Sequence, residues 1–331
     1  MPHNYRVWTH SRFPAESIVS LTSLAELITG ERPPTAAWFQ LASSCHALII
    51  GGTTLMDAAT MDQLGSNVAV IARPGIGVDM IDTQAATQRG IMVVNTPDGP
   101  TESTAEHAIA LILNLAKGVA IADRVLRSGA GFPNYGTLLP GLELRGATLG
   151  LIGLGRIGGR VAEIAHVLGM RVLAFDPFLS SERASQLDVL QVATLEELLP
   201  QADIVSIHCP ATPQTRHLIN ASTLALMKVG SYFINVARGA IVDEAALISA
   251  LQSGHLAGAG LDVFDPEPTI ADHPLYSLSN TITTPHIASY TAACVLRMQT
   301  QACEQVAMAL RGEHPHWLVN PEVWGHTRHM P

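Results

Sequence analysis

Charge is scarce in this 331-residue chain: Asp, Glu, Lys and Arg together make up 14% of it, and the net charge is −9. No cluster of lysine or arginine is present, which argues against nucleic acid, whose binding rests on basic patches that neutralise phosphates. Cysteine is limited to Cys45, Cys209, Cys294 and Cys303, with no CxxC pair. That excludes a disulfide-stapled scaffold and fits reduced thiols in a cytoplasm. The most apolar run, AIALILNLA, spans only 108–116, about half of the ~20 residues a bilayer crossing needs. The N-terminus, MPHNYRVWTHSRF, lacks the basic-then-apolar pattern of a signal peptide. Internal repeats and low-complexity tracts are absent too. The expectation is a soluble, cytoplasmic protein without nucleic-acid or membrane partners.

What is present is 47% apolar residues in a length suited to two domains of ~150 residues each. Short apolar runs alternate with helical segments. The clearest strands are ALII (47–50), VAVIA (68–72), IMVVN (91–95), ATLGLIG (147–153), RVLAFD (171–176), DIVSIH (203–208), SYFINVA (231–237) and GAGLDVF (258–264). Continuous apolar strands with intervening helices predict an α/β fold of doubly wound parallel sheets covered on both faces. One segment, from Ser103 to about Arg127, predicts a single long helix opened by a Ser103–Glu106 capping box. A loop of about twenty residues follows it, so a domain junction is placed near residue 102. A second helical pattern covers 290–311.

LGLIGLGRIGGRVAEIAHVLG carries Gly153-x-Gly155-x-x-Gly158 directly after a strand and before an amphipathic helix. In that context the spacing signals a dinucleotide site. Gly153 allows the tight turn, Gly155 lets a pyrophosphate approach the backbone, and Gly158 lets the helix pack on the strand. The helix N-terminus, which includes Arg156 and Ile157, then faces the phosphates. The next strand ends at Asp176. A carboxylate there can accept hydrogen bonds from the adenosine ribose and would repel a 2′-phosphate, while Pro177 and Phe178 offer such a phosphate no cation. NAD is the expected cofactor, not NADP.

Three more strand ends carry INVARGAIVDEAAL with Arg238, GAGLDVFDPEP with Asp262 and Glu267, and TTPHIA with His286. Ligands bind at the carboxyl ends of parallel strands. An arginine there can clamp a carboxylate and polarise a neighbouring carbonyl. A glutamate beside a histidine orients the ring and favours its protonated form. His286 is one of 14 histidines, but it arrives with a matched Glu and Arg and is therefore read as chemical.

GLGRIG, NVARGAIVDEAAL, GAGLDVFDPEP and PHIAS, in this order and spacing, resemble the NAD-dependent D-isomer-specific 2-hydroxyacid dehydrogenases, a family that includes phosphoglycerate dehydrogenase and glyoxylate/hydroxypyruvate reductase. The resemblance covers about residues 68–312; the first 65 residues carry no usable motif. It implies a Rossmann NAD domain, 103–286, inserted into a flavodoxin-like substrate domain made of 1–102 and 287–331. It further implies Arg238 as binder of the substrate carboxylate and C2 oxygen, His286 as acid/base and Glu267 as its paired carboxylate. Asp262 would lie near the nicotinamide, with Ala237, Arg238 and His286 also against the cofactor, and His208 and Cys209 would line the adenine pocket. The backbone of Gly75, Ile76 and Gly77, in GIGVD, would hold the substrate carboxylate. Domain closure would exclude water. A homodimer through the NAD domain is implied, with the apolar helix near 105–125 as its surface.

Arg73, just before that glycine loop, is a candidate for a second anionic group on the substrate, balanced against an ordinary surface salt bridge. The implied substrate is a small 2-hydroxy or 2-keto acid of hydroxypyruvate, glyoxylate or 3-phosphoglycerate type. Tyr290 is placed to trim the pocket. HPHW and GHTRHM near the C-terminus are too sparse in ligands for a metal site and read as solvated tail residues, so no metal is expected. An NAD(H)-sensing corepressor of the same fold is the alternative function, since it would keep the Arg/Glu/His set. Chemistry of the S-adenosylhomocysteine hydrolase type lacks the PEP…PHI spacing and ranks last.

Overall fold

The computed structural model describes residues 4–129 and 141–328. The loop expected after residue 128 therefore lies largely outside the described residues. The chain divides into two compact units, Met1–Pro100 with Tyr290–Pro331, and Thr101–Ser289.

The first unit is built on a parallel sheet of β1 (Tyr5–Thr9), β2 (Ala25–Ile28), β3 (Ala47–Ile49), β4 (Val70–Arg73) and β5 (Met92–Asn95), in the order β2-β1-β3-β4-β5. Strand side chains alternate between faces, and here both faces are apolar. Val7, Ile49, Val70, Ala72, Met92 and Val94 join one core with the Ala292–Leu310 helix, while Trp8, Leu48, Ile71 and Val93 join another around Trp38 and Met61. That two-sided burial explains why the strands read as unbroken apolar runs. β1 and β2 escaped notice because Arg6 and Glu26 interrupt the apolar pattern; the two side chains pair across the strands at 3.2 Å.

The second unit holds β6 (Thr148–Ile152), β7 (Arg171–Phe175), β8 (Leu190–Gln191), β9 (Ile204–Ile207), β10 (Ser231–Asn235), β11 (Leu256–Leu261) and β12 (Thr281–Thr283). Its order, β12-β11-β10-β9-β6-β7-β8, reverses direction at β6/β9. In open α/β sheets, ligands bind outside the carboxyl ends of the strands at such a reversal. β8 and β12 are short edge strands that carry Gln or Thr and so form no continuous apolar run.

The long helix differs from expectation. It starts at Thr101, so Ser103 is a buried position inside the first turn and no Ser103–Glu106 capping box opens it. It ends at Lys117, where Gly118 adopts φ 61°, and a separate helix runs Val119–Arg127. Glycine takes that left-handed conformation without the steric penalty other residues meet. Ala105, Ala108, Ile109, Leu111, Ile112 and Leu115 sink into the second unit's core, so most of the apolar face expected to form a dimer surface is internal. The large apolar residues of this stretch that are exposed are Leu113, Val119 and Leu126.

The C-terminal segment is also not a simple solvated tail. Asn320 is buried, accepting from the Val93 amide at 2.8 Å and donating to Thr87 and the Ile91 carbonyl, each at 2.9 Å. Arg328 donates to the carbonyls of Arg89, Gly65 and Val68. His314, His316 and His326 themselves are exposed; His329 lies outside the described residues. Among the described residues no group of three His, Cys, Asp or Glu is arranged to hold a metal, and no helix is long and apolar enough to cross a membrane.

Candidate active site

At the sheet reversal of the second unit, β6 runs into Gly153, whose φ of 93° suits only glycine. A Cβ there would sit 2.7 Å from the Cys209 amide nitrogen, and one on Gly158 would sit 2.2 Å from the Gly153 carbonyl. Both glycines are therefore required for close packing. A Cβ on Gly155 would meet open space, leaving that side clear for a ligand. Gly155 is also the N-cap of the Arg156–Val167 helix and supplies no capping side chain, whereas Ser180, Asn220 and Asp243 cap the helices they precede. The first amides of this helix thus lack side-chain capping, and the positive end of its dipole stands at the open glycine. Arg156 is exposed there, and Ile157 packs partly into the core.

Asp176 ends the neighbouring strand. Its Oδ2 accepts the Leu154 amide at 2.8 Å and its Oδ1 the Phe178 amide at 2.9 Å. The carboxylate therefore braces the glycine turn, and each oxygen keeps a second lone pair for a ribose hydroxyl. On the other side, the backbone of His208 and Cys209 forms the wall against Gly153. His208 retains some accessible surface as a residue, but its Nδ1 is sealed without a partner and its Nε2 lies 2.9 Å from Ser206 Oγ. Burial pushes the imidazole down to about 3, so it is neutral. Burial, with the Asp176 charge, pushes the Cys209 thiol up to about 11, so it stays protonated. This wall adds no charge of its own.

The ends of β10, β11 and β12 bring Arg238, Glu267 and His286 into one region. Glu267 Oε2 lies 2.6 Å from His286 Nδ1, and its Oε1 accepts the Phe264 amide at 2.9 Å. Burial alone would raise the Glu267 carboxyl. The hydrogen bond and charge of His286, the Phe264 amide and the nearby Arg238 guanidinium outweigh it and hold the group below the usual carboxylate range. An ionised Glu267 can only accept, so the shared proton is on Nδ1 and Nε2 is the ring atom left for exchange. The His286 side chain is 48% exposed. Arg238 leaves β10 in extended conformation and donates to the Ala237 carbonyl at 2.7 Å.

Sequence reasoning passed over the residues that hold this set together. A Cβ on Gly239 would fall 2.0 Å from the Phe264 carbonyl carbon, so only glycine lets the Arg238 loop touch the Glu267 loop. Glu244 Oε1 accepts the Asp265 amide at 3.1 Å, and its Oε2 lies 3.0 Å from His273 Nε2. Both Gly239 and Glu244 stand inside INVARGAIVDEAAL, but nothing in the spacing tells which loop they meet. Asp262, expected against the nicotinamide, has no accessible surface. Its carboxylate accepts Thr284 Oγ1 and the amides of Ile287 and Ala288. Residues 287–289 consequently stay with the second unit, and the boundary expected at 286/287 moves to 289/290.

In the first unit the Gly75 amide donates to Thr96 Oγ1 at 2.7 Å, and the Gly75 carbonyl accepts the Thr96 amide at 2.9 Å. An N–H has one proton to give, so a carboxylate at this turn is left with the amides of Ile76 and Gly77, not that of Gly75. Arg73 at the end of β4 is tucked between two glycines: a Cβ on Gly52 or Gly75 would come within 2.8 or 2.9 Å of its guanidinium. His10, at the end of β1, is kept from charging by burial first, and further by Arg73 and Arg32. Tyr290 belongs to this unit and is 77% exposed.

Residues 109–288 match the model of the D-isomer specific 2-hydroxyacid dehydrogenase, NAD binding domain. The chain belongs to that family. Among its relatives are the D-3-phosphoglycerate dehydrogenase of Archaeoglobus fulgidus, 44% identical over 81% of this chain and 50% of that protein, and the glyoxylate reductase of Aeropyrum pernix, 41% identical over 88% of each. A crystal structure of a Thermus thermophilus protein superposes with a TM-score of 0.85 at 40% identity, covering 95% of this chain and 99% of that one. The chain thus spans about half the length of the D-3-phosphoglycerate dehydrogenases it matches. The 2-hydroxyacid dehydrogenase match takes in the glycine turn, Asp176, Arg238, Glu267 and His286. Arg73 and the Gly75–Gly77 turn lie outside it. The open face at Gly155 and the uncapped helix start fit NAD, the cofactor of this domain.

Proposed function

We propose that the chain is an NAD-dependent oxidoreductase that interconverts a D-2-hydroxy acid and its 2-keto acid. The observation that carries this reading is the 2.6 Å contact of His286 Nδ1 with a Glu267 carboxylate held in its ionised form, in a member of this family. The glycine turn and the Arg156–Val167 helix start hold the pyrophosphate, and Asp176 receives the adenosine ribose hydroxyls. When bound, the nicotinamide supplies the hydride to C2 of the keto acid or takes it from C2 of the hydroxy acid.

The protein's own groups do the rest. Arg238 binds the substrate carboxylate and the C2 oxygen, so that negative charge growing on that oxygen meets a fixed guanidinium. His286 Nε2 delivers a proton to the same oxygen during reduction and removes it during oxidation. Glu267 fixes the ring through Nδ1 and offsets the positive charge of the protonated form. The protein acts as a homodimer through the NAD domain, and the Val119–Arg127 helix, which buries none of its residues within the chain, supplies part of that surface.

The substrate is small, of hydroxypyruvate, glyoxylate or 3-phosphoglycerate type. Arg73 is the group that would distinguish among them. With His10 held neutral by burial, the positive charge bearing on this end of the first sheet comes from Arg73 and Arg32. The test is a screen of 2-keto acids with NADH, followed by kcat/KM for hydroxypyruvate, glyoxylate and 3-phosphoglycerate in the wild type and Arg73→Ala. No turnover of any of them overturns the reading. Equal values in both proteins remove Arg73 from recognition and the phosphorylated substrate with it.

A further inference from the structure

His286 sits in the left-handed region, with φ 54°, which few non-glycine residues adopt and which persists where the surrounding structure imposes it. Asp262 imposes it. The Asp262 carbonyl accepts the His286 amide at 2.8 Å, Oδ1 accepts the Ile287 amide at 2.9 Å, and Oδ2 accepts the Ala288 amide at 2.8 Å. One residue thus grips the chain at His286 and at the two positions after it.

Asp262 is held in turn. Thr284 Oγ1 lies 2.5 Å from Asp262 Oδ1, and His107 Nε2 lies 3.0 Å from the same hydroxyl and 3.6 Å from Oδ1. The hydrogen-bond directions follow from proton counting. A carboxylate only accepts, so the one hydroxyl proton of Thr284 goes to Asp262. Thr284 Oγ1 must then accept from His107, which carries its proton on Nε2. The order is His107 Nε2–H to Thr284 Oγ1, and Thr284 O–H to Asp262 Oδ1. His107 projects from the Thr101–Lys117 helix, whose Ala105, Ala108, Ile109 and Leu111 are core residues. The chain of bonds ties the His286 loop to a rigid element. Asp262 has no accessible surface, so water cannot replace a lost donor there.

We propose that Thr284 and His107 are positioning residues for the hydride-transfer reaction, acting through Asp262 to hold His286 in its left-handed conformation. The proposal rests on the reading of His286 as the acid/base. Thr284→Val keeps the shape and removes the hydroxyl, and Thr284→Ser restores it. His107→Leu removes the donor, and His107→Gln returns an N–H near the same place.

The experiment compares these four variants with the wild type by keto-acid reduction kinetics, NADH affinity from fluorescence, and amide hydrogen exchange of a peptide covering 285–289. Thr284→Val should lower kcat by about tenfold or more, as displaced catalytic groups do, with KM and NADH affinity within about twofold. Exchange of the loop amides should quicken by about tenfold or more as local opening becomes easier. His107→Leu should move both readouts the same way by less. The serine and glutamine variants should recover most of each loss. Wild-type kcat and exchange in both Thr284→Val and His107→Leu would overturn the proposal, as would a Thr284→Ser variant as impaired as Thr284→Val. If the wild type reduces no keto acid, the acid/base reading fails; the exchange data then still show whether the network holds the loop, and unchanged exchange would refute that as well.

Discussion

Glu267 uses both oxygens of one carboxylate: Oε2 faces His286 Nδ1 at 2.6 Å, and Oε1 accepts the Phe264 amide at 2.9 Å. One bond sets the ring and the other sets the loop that carries the carboxylate. A neutral amide has a single acceptor oxygen, so Glu267→Gln can keep the Phe264 bond only by turning its NH2 group toward His286, which then accepts on Nδ1 and carries its proton on Nε2.

The stability consequence depends on pH. The folded-state pKa of Glu267 is depressed, so its contribution is present above the unfolded value of about 4.3 and disappears as pH falls through the lower folded value. Glu267→Gln should melt below the wild type near neutrality, and the gap should close in acid. Its keto-acid reduction profile should also lose its alkaline reach, because no negative charge remains beside the ring. Thermal melts across pH and an activity profile check both statements. A gap of the same size in strong acid as at neutrality would show that the carboxylate charge contributes nothing.

Arg238→Ala and Arg238→Lys should separate binding from chemistry. The guanidinium meets the substrate in the ground state and in the transition state, so KM should rise and kcat fall, by about tenfold or more each for Ala. Lysine keeps the charge but loses the fork and should recover only part of the loss. Steady-state kinetics with one keto acid decide it; a change in kcat alone would remove the carboxylate clamp from the account.

Gly239→Ala should damage both loops. The added methyl would lie 2.0 Å from the Phe264 carbonyl carbon, and the obstacle is backbone, which cannot rotate aside. A loss of about 1–3 kcal/mol in denaturant unfolding is expected, as for overpacked sites, together with most of the activity. Full stability would mean that the two loops separate easily.

Cofactor choice should follow Asp176. Asp176→Ser should weaken NADH binding and relax rejection of the 2′-phosphate. Because Asp176 also braces the Leu154 and Phe178 amides, some loss should reach NADPH too. The ratio of kcat/KM for the two cofactors is the measurement, and efficient use of NADPH by the wild type would contradict the assignment.

The glycine turn, Asp176 and the Arg238–Glu267–His286 set were legible because each is a local pattern at the end of an apolar strand. The fold class was legible for the same reason, as Val70–Ala72, Met92–Val94 and Leu149–Leu151 lie in short apolar runs. The break at Gly118 was hidden, since a lone glycine in a helical pattern looks the same whether or not its φ turns positive. Contacts between distant segments were out of reach. Gly239 against Phe264, Thr96 on the Gly75 amide, and His107 on Thr284 depend on which strand ends lie side by side, and that order is a property of the sheet. Asp262 was found by its motif but given a ligand-facing role, because spacing does not reveal which way a buried carboxylate points.

The most direct test of the account is the rate of NADH oxidation with glyoxylate or hydroxypyruvate by the wild type and His286→Asn, with NADH affinity measured on the same samples. Asparagine tolerates the left-handed backbone that His286 occupies, so the loop is preserved while the proton-transfer group is lost. Turnover by the wild type is expected, with a fall in kcat of about 10²–10⁴-fold in the variant and a far smaller change in NADH affinity. A variant that reduces the keto acid at the wild-type rate would contradict the assignment of His286 as the acid/base.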